Sequence, residues 1–337
     1  MSKAAIQAIE YYLPEAVLGS EELAREFPEW SVAKIEEKTG IRERHIASEA
    51  ECSSDLGIAA ARKLFASGHA RPEEIDFLLF CTQSPDYFLP TTACIVQNSL
   101  GLPKRSGALD FNLGCSGFIY GLGLAKGLIE TGQASNVLLI TSETYSKFIH
   151  KRDKSVRTIF GDAAAATLIS AKDIAADAIG PFVFGTDGAG ADNLIVRSGG
   201  MRQRALTEDA MPDDDGNWRS PANLYMNGAE LFSFTMSEVP ASVKALLSKT
   251  NTTVADYDLF VFHQANGYML NHLRKSLKIP EDRFFVHLEE CGNTVSSTIP
   301  IALAQAEKLG RLRAGSRVLL AGFGVGYSWG VTSVRWK

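Results

Sequence analysis

Short runs of Val, Ile, Leu and Phe alternate along the chain with longer stretches in which apolar residues recur every three or four positions. The runs have the pattern of buried strands, and the longer stretches that of helices with one apolar face. Strands are predicted over 75–81, 108–112, 137–141, 167–170, 259–263, 284–288, 317–321 and 330–334. Helices are predicted over 21–26, 55–67, 92–100, 118–131, 229–249, 267–277 and 299–309. Strands and helices alternating along the whole length make a layered α/β protein.

The pattern also repeats at long range. IDFLLFCTQS from Ile75 matches YDLFVFHQAN from Tyr257 at an offset of 182 residues, and NVLLITSE from Asn136 matches RVLLAGFG from Arg317 at an offset of 181. Two strand-helix segments that keep their spacing point to a duplicated fold with halves 1–175 and 176–337. Between the matched segments, residues 198–223 are rich in Gly, Asp, Pro and Asn. Asp213, Asp214 and Asp215 lie there in succession, without the alternating ligand spacing of a calcium loop, so a solvated loop is expected and no metal site.

Composition narrows the function classes. The 337 residues are 45% hydrophobic and 22% charged, with a formal net charge of -5. That is a globular composition and gives no electrostatic case for nucleic acid. Gln7 and Glu10 interrupt the N-terminal stretch, and no apolar run approaches the ~18 residues of a membrane span. The five cysteines, Cys52, Cys81, Cys94, Cys115 and Cys291, are scattered without CxxC pairing, which argues for a reducing, cytoplasmic setting and against a zinc site.

Four segments carry candidate chemistry. In ALDFNLGCSGFIYGLGLAKG, Cys115 lies in a tight turn between a buried strand and a Gly-rich helix, where the helix end would favour thiolate. A small buried core cysteine is the competing reading of this segment. In LFVFHQANGYML an apolar run ends abruptly in His263, as a strand delivering a side chain to a site would; a structural histidine is equally open. In ECGNTVSSTIP, Asn293 stands in a turn before a Ser-rich helix start, where it could also be a turn former or cap. In LLAGFGVGYSWG, the glycines break a strand and can aim backbone N–H groups at a carbonyl oxygen. No GxGxxG opens a helix there, which sets the nucleotide reading low.

Together, GCSGF, HQAN, GNT and FGVGYSWG, with KTGIRERHIA from Lys38 and IFGDAAAATLI from Ile159, resemble the β-ketoacyl-acyl-carrier-protein synthase III branch of the thiolase superfamily, over essentially the whole chain. The resemblance implies the duplicated αβαβα five-layer thiolase fold. It implies that Cys115 is acylated by acyl-CoA or acyl-carrier protein and that the N–H groups of Cys115 and Val325, in the turn with Gly324, hold the oxyanion. His263 and Asn293 would bind the carbonyl of malonyl-carrier protein during a decarboxylative condensation of fatty acid or related biosynthesis. Asn266 would support them by hydrogen bonding, and Phe323 would be the apolar neighbour of the cysteine. The resemblance further implies a homodimer, an acyl pocket shaped partly by Phe88 and Leu89, and no cofactor. The alternative within the same fold is acyl transfer to an alcohol or amine without C–C bond formation.

Departures from relatives sharpen the reading. Hydroxymethylglutaryl-CoA synthases carry a catalytic glutamate where this chain has Gln83, and elongating synthases a second histidine where it has Asn293. Initiating synthases usually place a tryptophan near Lys34 or Ile35, whereas Trp30 lies upstream here, and an arginine where this chain has Tyr268. Arg274, Lys275 and Lys278 on the following helix form a candidate patch for an acidic carrier protein, with a solvated basic face as the alternative.

Overall fold

The computed structural model describes residues 2–207 and 209–337. The first sheet contains β1 (Lys3–Tyr12), β4 (Phe77–Cys81), β5 (Gly107–Phe111), β6 (Asn136–Glu143) and β7 (Ala163–Lys172), in the order β1-β7-β6-β4-β5. A separate hairpin pairs β2 (Ala16–Gly19) with β3 (Glu43–Ile46). β4 runs parallel to β5 and β6, while β7 is antiparallel to both β6 and β1. The second sheet starts with β8 (Ile179–Thr186). Between them and its remaining strands come two short pairs: β9 (Leu194–Ile195) with β12 (Tyr225–Met226), and β10 (Met211–Pro212) with β11 (Trp218–Arg219). With β13 (Leu259–Phe262), β14 (Arg317–Gly324) and β15 (Ser328–Arg335), the second sheet has the order β13-β14-β15-β8. β13 is parallel to β14, and β15 is antiparallel to both neighbours. The two sheets thus share one plan, and the offset read from the sequence relates β4 to β13 and β6 to β14.

The helices are α1 (Ser20–Glu26), α2 (Val32–Thr39), α3 (Ser53–Ala66), α4 (Thr92–Ser99), α5 (Gly117–Glu130), α6 (Lys154–Arg157), α7 (Gly228–Thr250), α8 (Gly267–Ser276) and α9 (Thr298–Lys308). Successive strand residues face opposite ways, and here both faces are covered. Leu79 and Leu139 pack with Phe118, Leu122 and Leu303 of α5 and α9, and Val261 and Leu320 of the second sheet reach the same cluster. Their neighbours Leu78, Phe80 and Ile140 pack outward with Leu56 and Leu64 of α3. On the other side Phe260, Phe262 and Leu319 pack with Val243 and Leu246 of α7 and Leu270 of α8. Helix, sheet, helix, sheet and helix make five layers, the thiolase architecture, with each buried Leu, Ile or Phe stabilising it by about 1.5–3 kcal/mol.

Several elements differ from the sequence expectation. The strand expected over 284–288 is reduced to one parallel bridge, Phe284 to Phe260. Phe285 N–H still donates to Phe260 O at 2.9 Å, but the buried Gln264 side chain takes the His287 N–H at 2.7 Å and ends the ladder. β1 and β8 escaped prediction because Gln7 and Glu10 break the apolar run of one, and Gly180, Pro181 and Gly185 that of the other. Within the acidic loop, Asp213 accepts from Asp215 N–H, Asn217 N–H and Arg219, so its carboxylate shapes the turn.

Candidate active site

The nucleophile candidate sits between two elements of the first half. β5 stops at Phe111, α5 starts at Gly117, and the turn between them is closed by Gly117 N–H donating to Gly114 O at 2.8 Å. Ser116 is the helix cap residue, and its hydroxyl meets Ser328 Oγ of β15 at 2.7 Å, tying the turn to the second half. Cys115 is only 5% exposed. Two glycines make room for this packing. A Cβ on Gly324 would stand 2.9 Å from both Cβ and Sγ of Cys115, and one on Gly114 would stand 2.4 Å from Gln83 Oε1 and 2.8 Å from Val325 Cγ1. The Val325 backbone N–H stands close enough to the Cys115 sulfur to favour its thiolate.

The helix end does not lower the thiol pKa as the sequence suggested. Burial, with the charge of Glu143 added, pushes it up to about 12, against the N–H groups of Val325 and Cys115. Cys115 precedes the cap residue, where the field of the helix is already weakening, and desolvation penalises the thiolate more. Cys115 therefore rests as a thiol.

His263 follows the last residue of β13 and donates its backbone N–H to Ala321 O of β14 at 2.8 Å. Its ring stands edge-on to Phe323, with centroids 5.4 Å apart, and its Nδ1 is 2.7 Å from Thr298 Oγ1. Thr298 Oγ1 is also 3.0 Å from Val295 O. Burial pushes the imidazole pKa down to about 3, so the ring is neutral at physiological pH. Asn293 is clamped by a bridge to the Ile159–Gly161 segment, donating to Ile159 O and accepting from Gly161 N–H, both at 3.0 Å. Its Oδ1 accepts from Val295 N–H at 2.9 Å, which fixes the amide with its NH2 toward Ala265 O at 3.3 Å.

The turn 323–325 joins these groups: Gly324 and Val325 touch Cys115, and Phe323 packs on His263, in one core cluster with Cys115. Asn266 is placed differently from expectation. Its Oδ1 caps α8 by accepting Met269 N–H at 2.8 Å, and the carbonyl that meets Asn293 belongs to Ala265. Phe88 and Leu89 lie 77% and 85% exposed on a surface loop, outside the cavity beside Cys115 that this chain lines for itself. Lys275 and Lys278 are exposed on or just after α8, while Arg274 pairs with Glu281 at 3.4 Å and Asn271 at 3.1 Å.

Three buried residues carry the site without having been singled out from the sequence. Thr298 sets the His263 ring, five residues beyond Asn293, with no local signal to mark it. Arg44, within KTGIRERHIA, donates to Leu18 O and Ile41 O and at 2.9 Å to Thr158 O, beside the segment that clamps Asn293. Glu143 ends β6, and an apolar strand closing on a carboxylate at its C-terminal end was a legible signal, because sites in α/β proteins gather there. Its carboxylate accepts from Gln83 N–H at 3.0 Å, Ser84 Oγ at 3.2 Å and Ser296 Oγ at 2.9 Å, binding the two halves beneath the nucleophile.

Burial raises the Glu143 carboxyl from 4.5 to about 8 despite those donors. A folded-state pKa above the unfolded one means the folded chain binds the proton more tightly, so stability is full below about pH 4.5 and falls as pH rises toward 8. At about 1.4 kcal/mol per tenfold change in proton affinity, the loss is bounded at about 5 kcal/mol. Glu143→Gln keeps an acceptor for Gln83 and removes the titration. Thermal unfolding should show the variant melting above the wild type at pH 8 and close to it at pH 5; parallel profiles would refute this.

Comparison with known proteins agrees with the geometry. Residues 109–188 match the family described as 3-oxoacyl-[acyl-carrier-protein (ACP)] synthase III, and residues 247–336 match its C-terminal part. A beta-ketoacyl-[acyl-carrier-protein] synthase III of Caldanaerobacter subterraneus subsp. tengcongensis is 33% identical over 329 residues, covering 97% of this chain and 96% of that protein. A crystal structure of a 3-oxoacyl-(acyl-carrier-protein) synthase III superposes with a TM-score of 0.98 at 52% identity, covering 99% of this chain and 100% of the other. A 3-oxoacyl-(acyl-carrier protein) synthase from Burkholderia xenovorans LB400 gives 0.90 at 36%, covering 99% and 94%.

Proposed function

Because this chain belongs to the 3-oxoacyl-[acyl-carrier-protein] synthase III family, we propose that it loads an acyl group on Cys115 and condenses it with malonyl-carrier protein, releasing carbon dioxide. The observation that carries the reading is the turn 323–325, which sets the oxyanion donor Val325 N–H on Cys115 and packs Phe323 on His263. Cys115 sulfur attacks the thioester carbonyl of acyl-CoA or acyl-carrier protein. The new C–S bond forms first and gives a tetrahedral oxyanion; its collapse then breaks the donor C–S bond, and the departing thiolate takes the thiol proton. The N–H groups of Cys115 and Val325 hold the oxyanion between these events. Malonyl thioester then places its carbonyl oxygen between His263 and Asn293. His263 donates from Nε2 once the Thr298 hydroxyl gives up its bond to Val295 O and donates to Nδ1 instead, and Asn293 donates its free N–H. Loss of carbon dioxide leaves an enolate whose carbon attacks the acyl-Cys carbonyl, and the Cys115 thiolate departs and takes a proton from solvent, which restores the thiol. None of these steps requires a cofactor. Incubation with malonyl-carrier protein and acyl thioesters should release carbon dioxide and give a β-ketoacyl product; acyl loss without either would reject condensation.

We place the working form as a homodimer in the cytoplasm. β5 is an edge strand with Leu109 39% exposed, and an apolar groove of about 730 Å³ runs past Tyr120, Leu124, Phe182 and Phe184. A second copy covering this face would protect the edge and bring its own exposed Phe88 and Leu89 toward the acyl site. For the carrier protein, Lys275 and Lys278 offer the free charge of the α8 patch, with Arg274 held by Glu281. Arg274→Glu with Lys275→Glu should raise KM for the carrier protein several-fold while leaving turnover of a small thioester unchanged. Equal losses for both substrates would dismiss the patch.

A further inference from the structure

The cavity beside Cys115 has a volume of about 210 Å³ and is lined by Leu194, Val196, Leu224 and Val325 together with Gln83 and Tyr145, among others. It lies at the turn that carries Cys115: Asn112 of that turn lines it, and Gln83 and Val325 are also the side chains nearest Gly114, the residue before Cys115. At about 30 Å³ per water it holds about seven waters, the space of a short acyl chain rather than a long fatty one. One wall is polar. The Tyr145 hydroxyl, 4% exposed, is 2.6 Å from Gln83 Oε1. Among the described residues Gln83 Nε2, the other arm of that amide, has no acceptor within hydrogen-bond distance. If the amide is turned over, Tyr145 accepts from Nε2 and Oε1 is left over, so in either orientation one polar arm is unpaired.

That arm decides between substrates. A plain hydrocarbon chain filling the cavity strips water from the amide without replacing its hydrogen bond, which is costly. A hydroxyl both donates and accepts, and so it satisfies the amide whichever way it is turned. We propose that the acyl group loaded on Cys115 is short and bears a hydroxyl, read by the Gln83 amide with Tyr145 behind it. This rests on the assignment of Cys115 as the acyl acceptor. The step loaded is the transfer already described: the Cys115 S–C bond forms, the donor S–C bond breaks, and the departing thiolate takes the proton.

Intact-mass spectrometry of the full chain, following Cys115 acylation by butanoyl-CoA, 3-hydroxybutanoyl-CoA and 4-hydroxybutanoyl-CoA and by the same groups on carrier protein, tests it. At least one hydroxyacyl donor should load about tenfold faster than butanoyl. In Gln83→Leu, and in Gln83→Met should the first variant fold poorly, that ratio should fall to about one, whereas a merely structural role would slow all donors alike. Butanoyl loading as fast as both hydroxyacyl donors in the wild type, or a ratio that survives both variants, overturns the proposal and leaves the condensation reading standing. The absence of any adduct at Cys115 from every donor overturns the condensation reading itself.

Discussion

Cys115→Ala is expected to abolish the acyl-enzyme and to lower condensation by at least about 10⁴-fold, as removal of a covalent nucleophile does. The residue is enclosed and its thiol is held high by burial, so in the proposed reaction the N–H groups that hold the developing oxyanion matter more than a resting thiolate. The other two buried thiols lie away from the turn 323–325. Cys81 donates to Leu113 O at 2.9 Å within the core, and Cys291 lies at the end of a turn with its thiol pushed up to about 12 by burial. Mass spectrometry of the variant after incubation with acyl thioester should show unmodified protein. An adduct persisting on Cys81, Cys291 or any other residue would remove Cys115 from the role. Alanine is smaller than cysteine and sits in a conformation set by Gly114 and Gly117, so folding should survive and the loss should read as chemistry.

His263→Ala and Asn293→Ala should each slow condensation by about 10² to 10³, the usual cost of losing one oxyanion donor, while the loading of Cys115 continues. The split follows from the geometry. In the proposed reaction the acylation donors are backbone N–H groups of Cys115 and Val325, which neither substitution removes. The condensation donors are the neutral imidazole, its pKa near 3, and an amide oriented by Val295. Rapid-quench measurement of acyl-enzyme formation beside product formation distinguishes the two steps. Loss of loading in step with condensation would mean that His263 serves the thiol directly. Thr298→Val, which leaves Nδ1 without its hydroxyl, should weaken condensation in the same direction but by less.

The two halves were legible because hydrophobic strands and helices repeat at almost constant spacing, and such periodicity survives duplication. The Cys115, His263 and Asn293 segments were legible because each breaks a buried run with polar or glycine residues at a strand or helix end. The strand expected at 284–288 failed for a reason outside its own residues: Gln264, 23 residues before His287, takes the N–H that the ladder needed. Glu143, Thr298 and Arg44 likewise act through partners distant in sequence, so no local pattern reports their bonds.

The sequence by itself determined the layering, the duplication and which residue types stand at the ends of the central strands, because burial on two faces and helical periodicity are written in local order. Only the tertiary structure decided what those residues experience. It put Cys115 under Gly324 and near Glu143, which makes it a buried thiol rather than the helix-activated thiolate that its segment suggested. It also turned Gln83 toward Tyr145, on the wall of the cavity at the Cys115 turn. Protonation and specificity depend on distances between residues far apart in the chain, and folding alone sets those distances.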